Sequence, residues 1–378
     1  MLEYRPSRQS SVNLELRTCN PLSMSSLFTP FSLRDITFRN RIAISPMCQY
    51  SAQDGYANDW HLVHLGSRAT GGAGLVIQEA TAVSPEGRIS PDDLGLWEDG
   101  QVAMLKRITA FIRSQGAVPG VQLGHAGRKA SHFSPWKSGH QIPVSSVGWA
   151  TVAPSAIPFH EGQEPPQALD ETGIRKVVAD FTASAIRSRE AGYDVVEIHA
   201  AHGYLLHEFL SPLCNRRDDH YGGSFENRVR LLLEVTEAVR AVWPSGLPLF
   251  VRISASDWAE GGWDADSTVA LARLLMDRGV DLLDCSSGGA VSHQKIHVVP
   301  GYQVPFAEKV RKETGMPTGA VGLITTPEQA EEVVRDGRAD LVLIARESLR
   351  DPHFPLRAAH ELGVKVHWPV QYERAKPS

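Results

Sequence analysis

The chain predicts an α/β fold: a (β/α)8 barrel of TIM type, with a long loop or lid insertion after the third strand. Three observations carry this reading. Eight short apolar segments recur from residue 41 onward, a longer helix-like stretch follows each, and polar side chains gather just past the carboxyl ends of the apolar segments. The predicted strands are 41–45, 74–79, 118–122, 195–198, 249–253, 282–285, 317–321 and 341–344. Each is short and apolar on both faces, as the strands of a parallel sheet covered by helices must be. The predicted helices are 60–70, 100–114, 172–191, 225–242, 267–278, 305–313, 327–335 and 352–362. A doubly wound sheet is the alternative, but no G-x-G-x-x-G opens a helix after the first strand.

Two connections are too long to be simple turns. Residues 124–170 are rich in proline and lack periodicity, which suits a lid over the barrel mouth. Residues 286–302, rich in Gly, Ser and His, suit a mobile flap. Residues 1–26 read as a disordered leader or an overlong start. Arg5, Arg8 and Arg17 occur there without an apolar core, Glu3 and Glu15 dilute the basic character, and Met24 precedes the first patterned segment. Residues 27–374 form one expected domain, with 375–378 as a tail.

With 378 residues, 42% of them hydrophobic, the chain can bury a large core. A net charge of -5 without a basic block argues against nucleic acid and anionic membranes. No apolar run approaches the roughly 20 residues of a membrane span. Cys19, Cys48, Cys214 and Cys285 are scattered, which argues against a disulfide framework or structural zinc and suits the cytoplasm.

The reactive candidates fall at the strand ends. Ser45-Pro46-Met47-Cys48-Gln49-Tyr50 follows the first strand and Gln122 ends the third. His199, His202 and Tyr204 follow the fourth, placing two imidazoles and a phenol within six residues. Arg252 lies inside the apolar fifth strand, where a charge is costly without an anion; either a core carboxylate such as Glu197 or an anionic ligand answers it. Gly322 follows the seventh strand, and Ala345-Arg346 the eighth. Barrels bind phosphate there with backbone N–H groups and a helix N-terminus.

Five motifs occur in order: R-N-R-I-A-I-S-P-M-C-Q-Y at 39–50, Q-L-G-H-A-G-R at 122–128, H-A-A-H-G-Y-L at 199–205, S-P-L-C-N-R-R-D-D-H-Y-G-G-S-F-E-N-R at 211–228, and P-V-Q-Y-E-R at 369–374. Together they resemble the Old Yellow Enzyme family, and Cys48 after Pro46-Met47 resembles its thermophilic-like bacterial class. The resemblance implies an FMN-bound barrel that oxidises NADPH or NADH. It would reduce activated C=C bonds of unsaturated aldehydes, ketones, maleimides or nitro compounds, in ping-pong fashion through flavin N5. It further implies that Ser45, Pro46, Met47 and Cys48 line the flavin, with the Cys48 thiol tuning its potential. Ala80 and Gln122 would meet the pyrimidine edge, and Gly322, Ala345 and Arg346 would hold the phosphate. Arg252 would face the charge of the reduced ring, an attraction of roughly 4 kcal/mol at about 4 Å in an effective dielectric of about 20. His199 and His202 would hold the substrate oxygen, with Tyr50 on its other side, and Tyr204 would deliver a proton. Arg374 would reach a neighbouring subunit of a homodimer or homotetramer.

Two other classes fit parts of the pattern. His199 and His202 have the H-x-x-H spacing of a metal-dependent barrel hydrolase, although acidic partners at other strand ends are sparse and Arg252 would repel a cation. A non-catalytic flavin-binding protein would not need Tyr204. Family branches with iron–sulfur cysteines in a C-terminal extension are a poorer fit, since the chain ends soon after Arg374.

Overall fold

The computed structural model describes residues 25–377, so most of the leader assigned to residues 1–26 lies outside the described residues. Its last two residues are tied down: Ser25 Oγ and the Ser26 amide both donate to the Glu331 carboxylate. Eight parallel strands close into a barrel. In chain order they are β1 (Ile42–Ile44), β2 (Leu75–Ala82), β3 (Val118–Gly124), β4 (Val195–Ala200), β5 (Leu249–Ser254), β6 (Leu282–Ser286), β7 (Thr318–Ala320) and β8 (Leu341–Ile344). Closure is made by β8 on β1, with Val342 paired to Ile42 and Ile344 to Ile44.

The strands are apolar throughout because both faces are covered. Val195, Phe250 and Leu282 point into the barrel, while their successors Val196, Val251 and Leu283 pack outward against the helices, following the two-residue strand period. The outer layer is α1 (Asp59–Thr70), α2 (Val102–Ser114), α3 (Glu171–Glu190), α4 (Phe225–Val242), α5 (Ala265–Met276), α6 (Val304–Thr314), α7 (Pro327–Arg335) and α8 (Phe354–Glu361). Side chains fix several starts: Asn58 and Thr326 form capping boxes with His61 and Gln329, and Ser224 accepts the Asn227 amide.

Every predicted strand and helix is present, with ends displaced by a few residues. Elements not foreseen include two that bear on the site and the floor. An antiparallel hairpin, Phe31–Leu33 with Ile36–Phe38, precedes β1 and buries Phe38 against Phe250 in the barrel floor. A six-residue helix, Leu205–Leu210, follows the His199–Tyr204 stretch.

Strand β2 carries a bulge. Gln78 pairs with Val121 and Ala80 with Gln122, so Glu79 is a surplus residue. The segment after β3 holds a 3-10 turn, Gly127–Lys129, and a pair of two-residue strands, Val152–Ala153 and Gln167–Ala168. Its Trp136 packs edge-on against Tyr50 with ring centroids 5.4 Å apart. No helix among the described residues is long and apolar enough to cross a membrane.

Candidate active site

Above the apolar floor, the inward positions of β3 to β6 turn polar. Gln122, Glu197, Arg252 and Asp284 are all buried. Gln122 Nε2 donates to Glu197 Oε1 at 2.8 Å. Arg252 Nε lies 3.0 Å from Asp284 Oδ2, but the contact is misaligned and Nε has no hydrogen-bond acceptor. Two carboxyl groups thus face one guanidinium. Burial raises the proton affinity of both Glu197 and Asp284, and the Arg252 charge opposes that rise. The anticipated partner Glu197 is therefore present as a neighbour, while the ion pair itself is made by Asp284.

His199 stands within β4, opposite Arg252 on β5, rather than in the loop beyond it. Its Nδ1 accepts the Ala201 amide at 3.2 Å, which leaves the proton on Nε2. His202 adopts φ +60°, and its amide donates to Ser254 Oγ at 2.8 Å. His202 Nε2 meets Ser286 Oγ at 2.7 Å, leaving Nδ1 for another partner. The His199 ring packs edge-on against both His202 and Tyr204, with centroids 5.1 and 5.0 Å apart. Burial, followed by the Arg252 charge, holds both imidazoles well below their ordinary range. Burial, then Cys48, Tyr50 and Asp93, holds the Tyr204 phenol well above its own. All three groups are neutral, and His199 Nε2 and the Tyr204 phenol carry donor protons.

The loop that presents them is anchored from below. His207 Nδ1 accepts the Gly203 amide at 2.8 Å, and His207 Nε2 meets Asp257 Oδ1 at 2.9 Å. Asp257 Oδ2 also accepts from Ser211 Oγ and the Trp263 amide, at 2.6 and 2.8 Å. From the side, Lys129 Nζ bridges the carbonyls of His202 and Gly289 at 2.8 and 3.1 Å. Burial lowers its pKa to about 8.

Cys48 and Tyr50 lie on the far side of the mouth. Burial raises the Cys48 thiol well above its usual range, reinforced by Asp93 and Glu79. Burial likewise raises the Tyr50 phenol, with Cys48 the next cause. A small cavity of about 230 Å³ beside His199 and Tyr204 is lined also by Ala80, Asp93, Gly124 and His125. Ser45 is buried and donates its amide to Ile344 O at 3.1 Å; Pro46 and Met47 follow, half-buried.

A second cavity of about 680 Å³ is lined by Gly322, Ala345, Arg346, Tyr302 and Gln303. Gly322 has φ +127°, and a Cβ there would approach the Gln303 backbone to 3.1 Å. Arg350 and Arg357 pair with Glu347 at 2.6 and 3.3 Å, whereas Arg346 has no carboxylate partner among the described residues. A concave, glycine-lined site with an uncommitted guanidinium fits a phosphate group. Arg374 is not brought to either cavity within one chain; it sits in the exposed 3-10 turn Val370–Ala375.

Asp284, Asp257 and His207 were missed by sequence reasoning. Asp284 carried the same signal as Arg252, a charge inside an apolar strand. Among the described residues, no group of three or more His, Cys, Asp or Glu is placed to hold a metal.

The profile of the NADH:flavin oxidoreductase / NADH oxidase family matches residues 26–364. An NADPH dehydrogenase of Geobacillus thermodenitrificans is 51% identical over 350 residues, which span 92% of this chain and 98% of that one. One from Bacillus subtilis is 48% identical with the same coverage. Among solved structures, morphinone reductase superposes with a TM-score of 0.73 at 29% identity, covering 93% of each chain. The chain therefore belongs to the NADH:flavin oxidoreductase / NADH oxidase family, the Old Yellow Enzyme family of FMN-dependent oxidoreductases.

Proposed function

We propose that the chain is an NADPH dehydrogenase that reduces electron-poor C=C bonds, those of unsaturated aldehydes, ketones, maleimides or nitro compounds. The observation that carries this reading is the convergence of three neutral polar rings, His199, His202 and Tyr204, beside a buried guanidinium. FMN, when bound, supplies the chemistry of accepting a hydride from NADPH or NADH and passing it to the second substrate. Arg346, Gly322 and Ala345 would hold its phosphate; Gln122 and Arg252 would meet the polar edge of the ring. Ser45, Pro46, Met47, Cys48 and Ala80 would line the rest.

His199 through Nε2–H, and His202 through Nδ1–H in the tautomer whose Nε2 accepts from Ser286 Oγ, donate to the carbonyl or nitro oxygen, drawing electron density from the β-carbon. Donors aimed at a developing oxyanion are worth about 10²–10³ in rate each. Neutral imidazoles suit this role, since they donate a hydrogen bond without giving up a proton. Tyr204 delivers the proton to the α-carbon, and Tyr50 approaches the oxygen from the opposite wall. Nicotinamide and alkene use one cavity in turn, which gives ping-pong kinetics. Asp257 and His207 hold the Gly203 amide, and with it the spacing between His202 and Tyr204.

The test is a stopped-flow survey of enones, maleimides and nitroalkenes against NADPH-reduced holoenzyme, with flavin reoxidation followed by absorbance. Rapid anaerobic reoxidation by at least one class is expected. A purified protein that is colourless, or a reduced flavin reoxidised by none of them, refutes the proposal.

A further inference from the structure

Behind the turn that carries Cys48 and Tyr50 lies a carboxylate with no part in the chemistry above. Glu79 is the surplus residue of the β2 bulge, and it is buried. Its Oε2 accepts the Gln49 amide at 2.6 Å, and the Tyr50 amide is directed at the same carboxylate. On its other side, Oε1 lies 3.5 Å from His61 Nε2. His61 Nδ1 accepts the Asn58 amide at 3.1 Å, so its proton sits on Nε2, facing Glu79. The imidazole is in turn fixed by the capping box of α1. A chain of contacts therefore runs from the α1 N-terminus through His61 and Glu79 to the backbone between Cys48 and Tyr50.

That backbone needs holding. Tyr50 has φ +46°, a left-handed conformation that is unfavourable for a non-glycine residue and persists only where its surroundings impose it. The Glu79 carboxylate holds the Gln49 amide immediately before it. The titratable groups that face Glu79 are His61 from α1, Asp93 from the connection after β2, Cys48 and Tyr50 from the turn after β1, and Tyr193 at the start of β4.

We propose that Glu79 is a positioning residue. It locks the Cys48–Tyr50 turn, thereby placing the Tyr50 phenol at the mouth and setting the reactivity of the Cys48 thiol. The inference rests on the reading that Cys48 and Tyr50 belong to the active site. Burial pushes the Glu79 carboxyl up to about 8, which brings its charge state into the working pH range.

Alkylation of Cys48 by iodoacetamide in FMN-loaded protein, located by mass spectrometry between pH 7 and 10, tests this directly. The buried Cys214 and Cys285 serve as internal references. Glu79→Gln keeps an acceptor oxygen and removes the charge. It is expected to move the alkylation profile to lower pH, with about tenfold faster reaction at pH 8 and a near-normal KM for the alkene. Glu79→Ala removes the acceptor too, and is expected to raise that KM about tenfold while flavin reduction by NADPH is little changed. Alkylation profiles of both variants that superimpose on the wild type overturn the proposal. Shifted profiles in an enzyme that reduces no alkene would instead count against the proposed function, leaving the role of Glu79 intact.

Discussion

Arg252 and Asp284 occupy the same rung of adjacent strands, paired across β5 and β6, with Nε and Oδ2 3.0 Å apart inside the barrel. A guanidinium so placed serves two masters: a permanent carboxylate beside it and whatever negative charge a ligand brings to the mouth. Glu197, one strand away, adds a second carboxyl whose proton is held tightly by burial. The field at this end of the barrel is thus set by a cluster rather than by Arg252 alone.

Asp284→Asn removes the competing charge at constant shape. The midpoint potential of the bound flavin is expected to rise by about 30 mV, the equivalent of about 1.4 kcal/mol for a two-electron couple. Spectroelectrochemical titration measures it, and an unchanged or lowered potential refutes the assignment.

Tyr204→Phe separates the two half-reactions. Alkene reduction is expected to slow by about 10²–10⁴, the usual range for a positioned acid, while flavin reduction by NADPH stays near normal. Equal losses in both half-reactions, measured by stopped flow, contradict a proton-donor role.

Asp257 is buried against His207, Ser211 and the Trp263 amide, and these contacts hold its carboxyl below the usual range despite burial. A depressed folded-state value gives stabilisation that is complete above the unfolded value, near pH 4, and fades as pH falls through the folded one. Asp257→Ala is expected to cost about 1.5–3 kcal/mol at pH 7, with a smaller difference at pH 3. Denaturant unfolding at the two pH values checks this; a difference that grows in acid refutes it.

Arg374 lies outside both cavities of its own chain, so its proposed contact requires a second subunit. Arg374→Ala is expected to raise KM for the alkene several-fold in a protein that light scattering shows to be oligomeric. A wild-type monomer would refute the shared site.

Much of this site was legible because barrel chemistry sits at strand ends, and strand ends are marked in the sequence by a change from β-branched to polar residues. His199 and Tyr204 were found that way, and Arg252 by its charge inside an apolar strand. The supporting carboxylates were not. Asp284 meets Arg252 only because two strands 32 residues apart pair in register, a relation no local pattern encodes. His207 looked like one more helix residue until the chain brought Asp257 beneath it. The floor hairpin escaped notice because strands of three residues are too short to show an alternation.

The surplus residue in β2 has an evolutionary corollary. Deleting any one position between Gln78 and Ala80 would restore an unbroken pleat and dissolve the offset that frees Glu79 from the ladder. Loops elsewhere in this barrel can lengthen or shrink, but the length of this strand is frozen: descendants should tolerate substitutions there far more readily than a single codon lost.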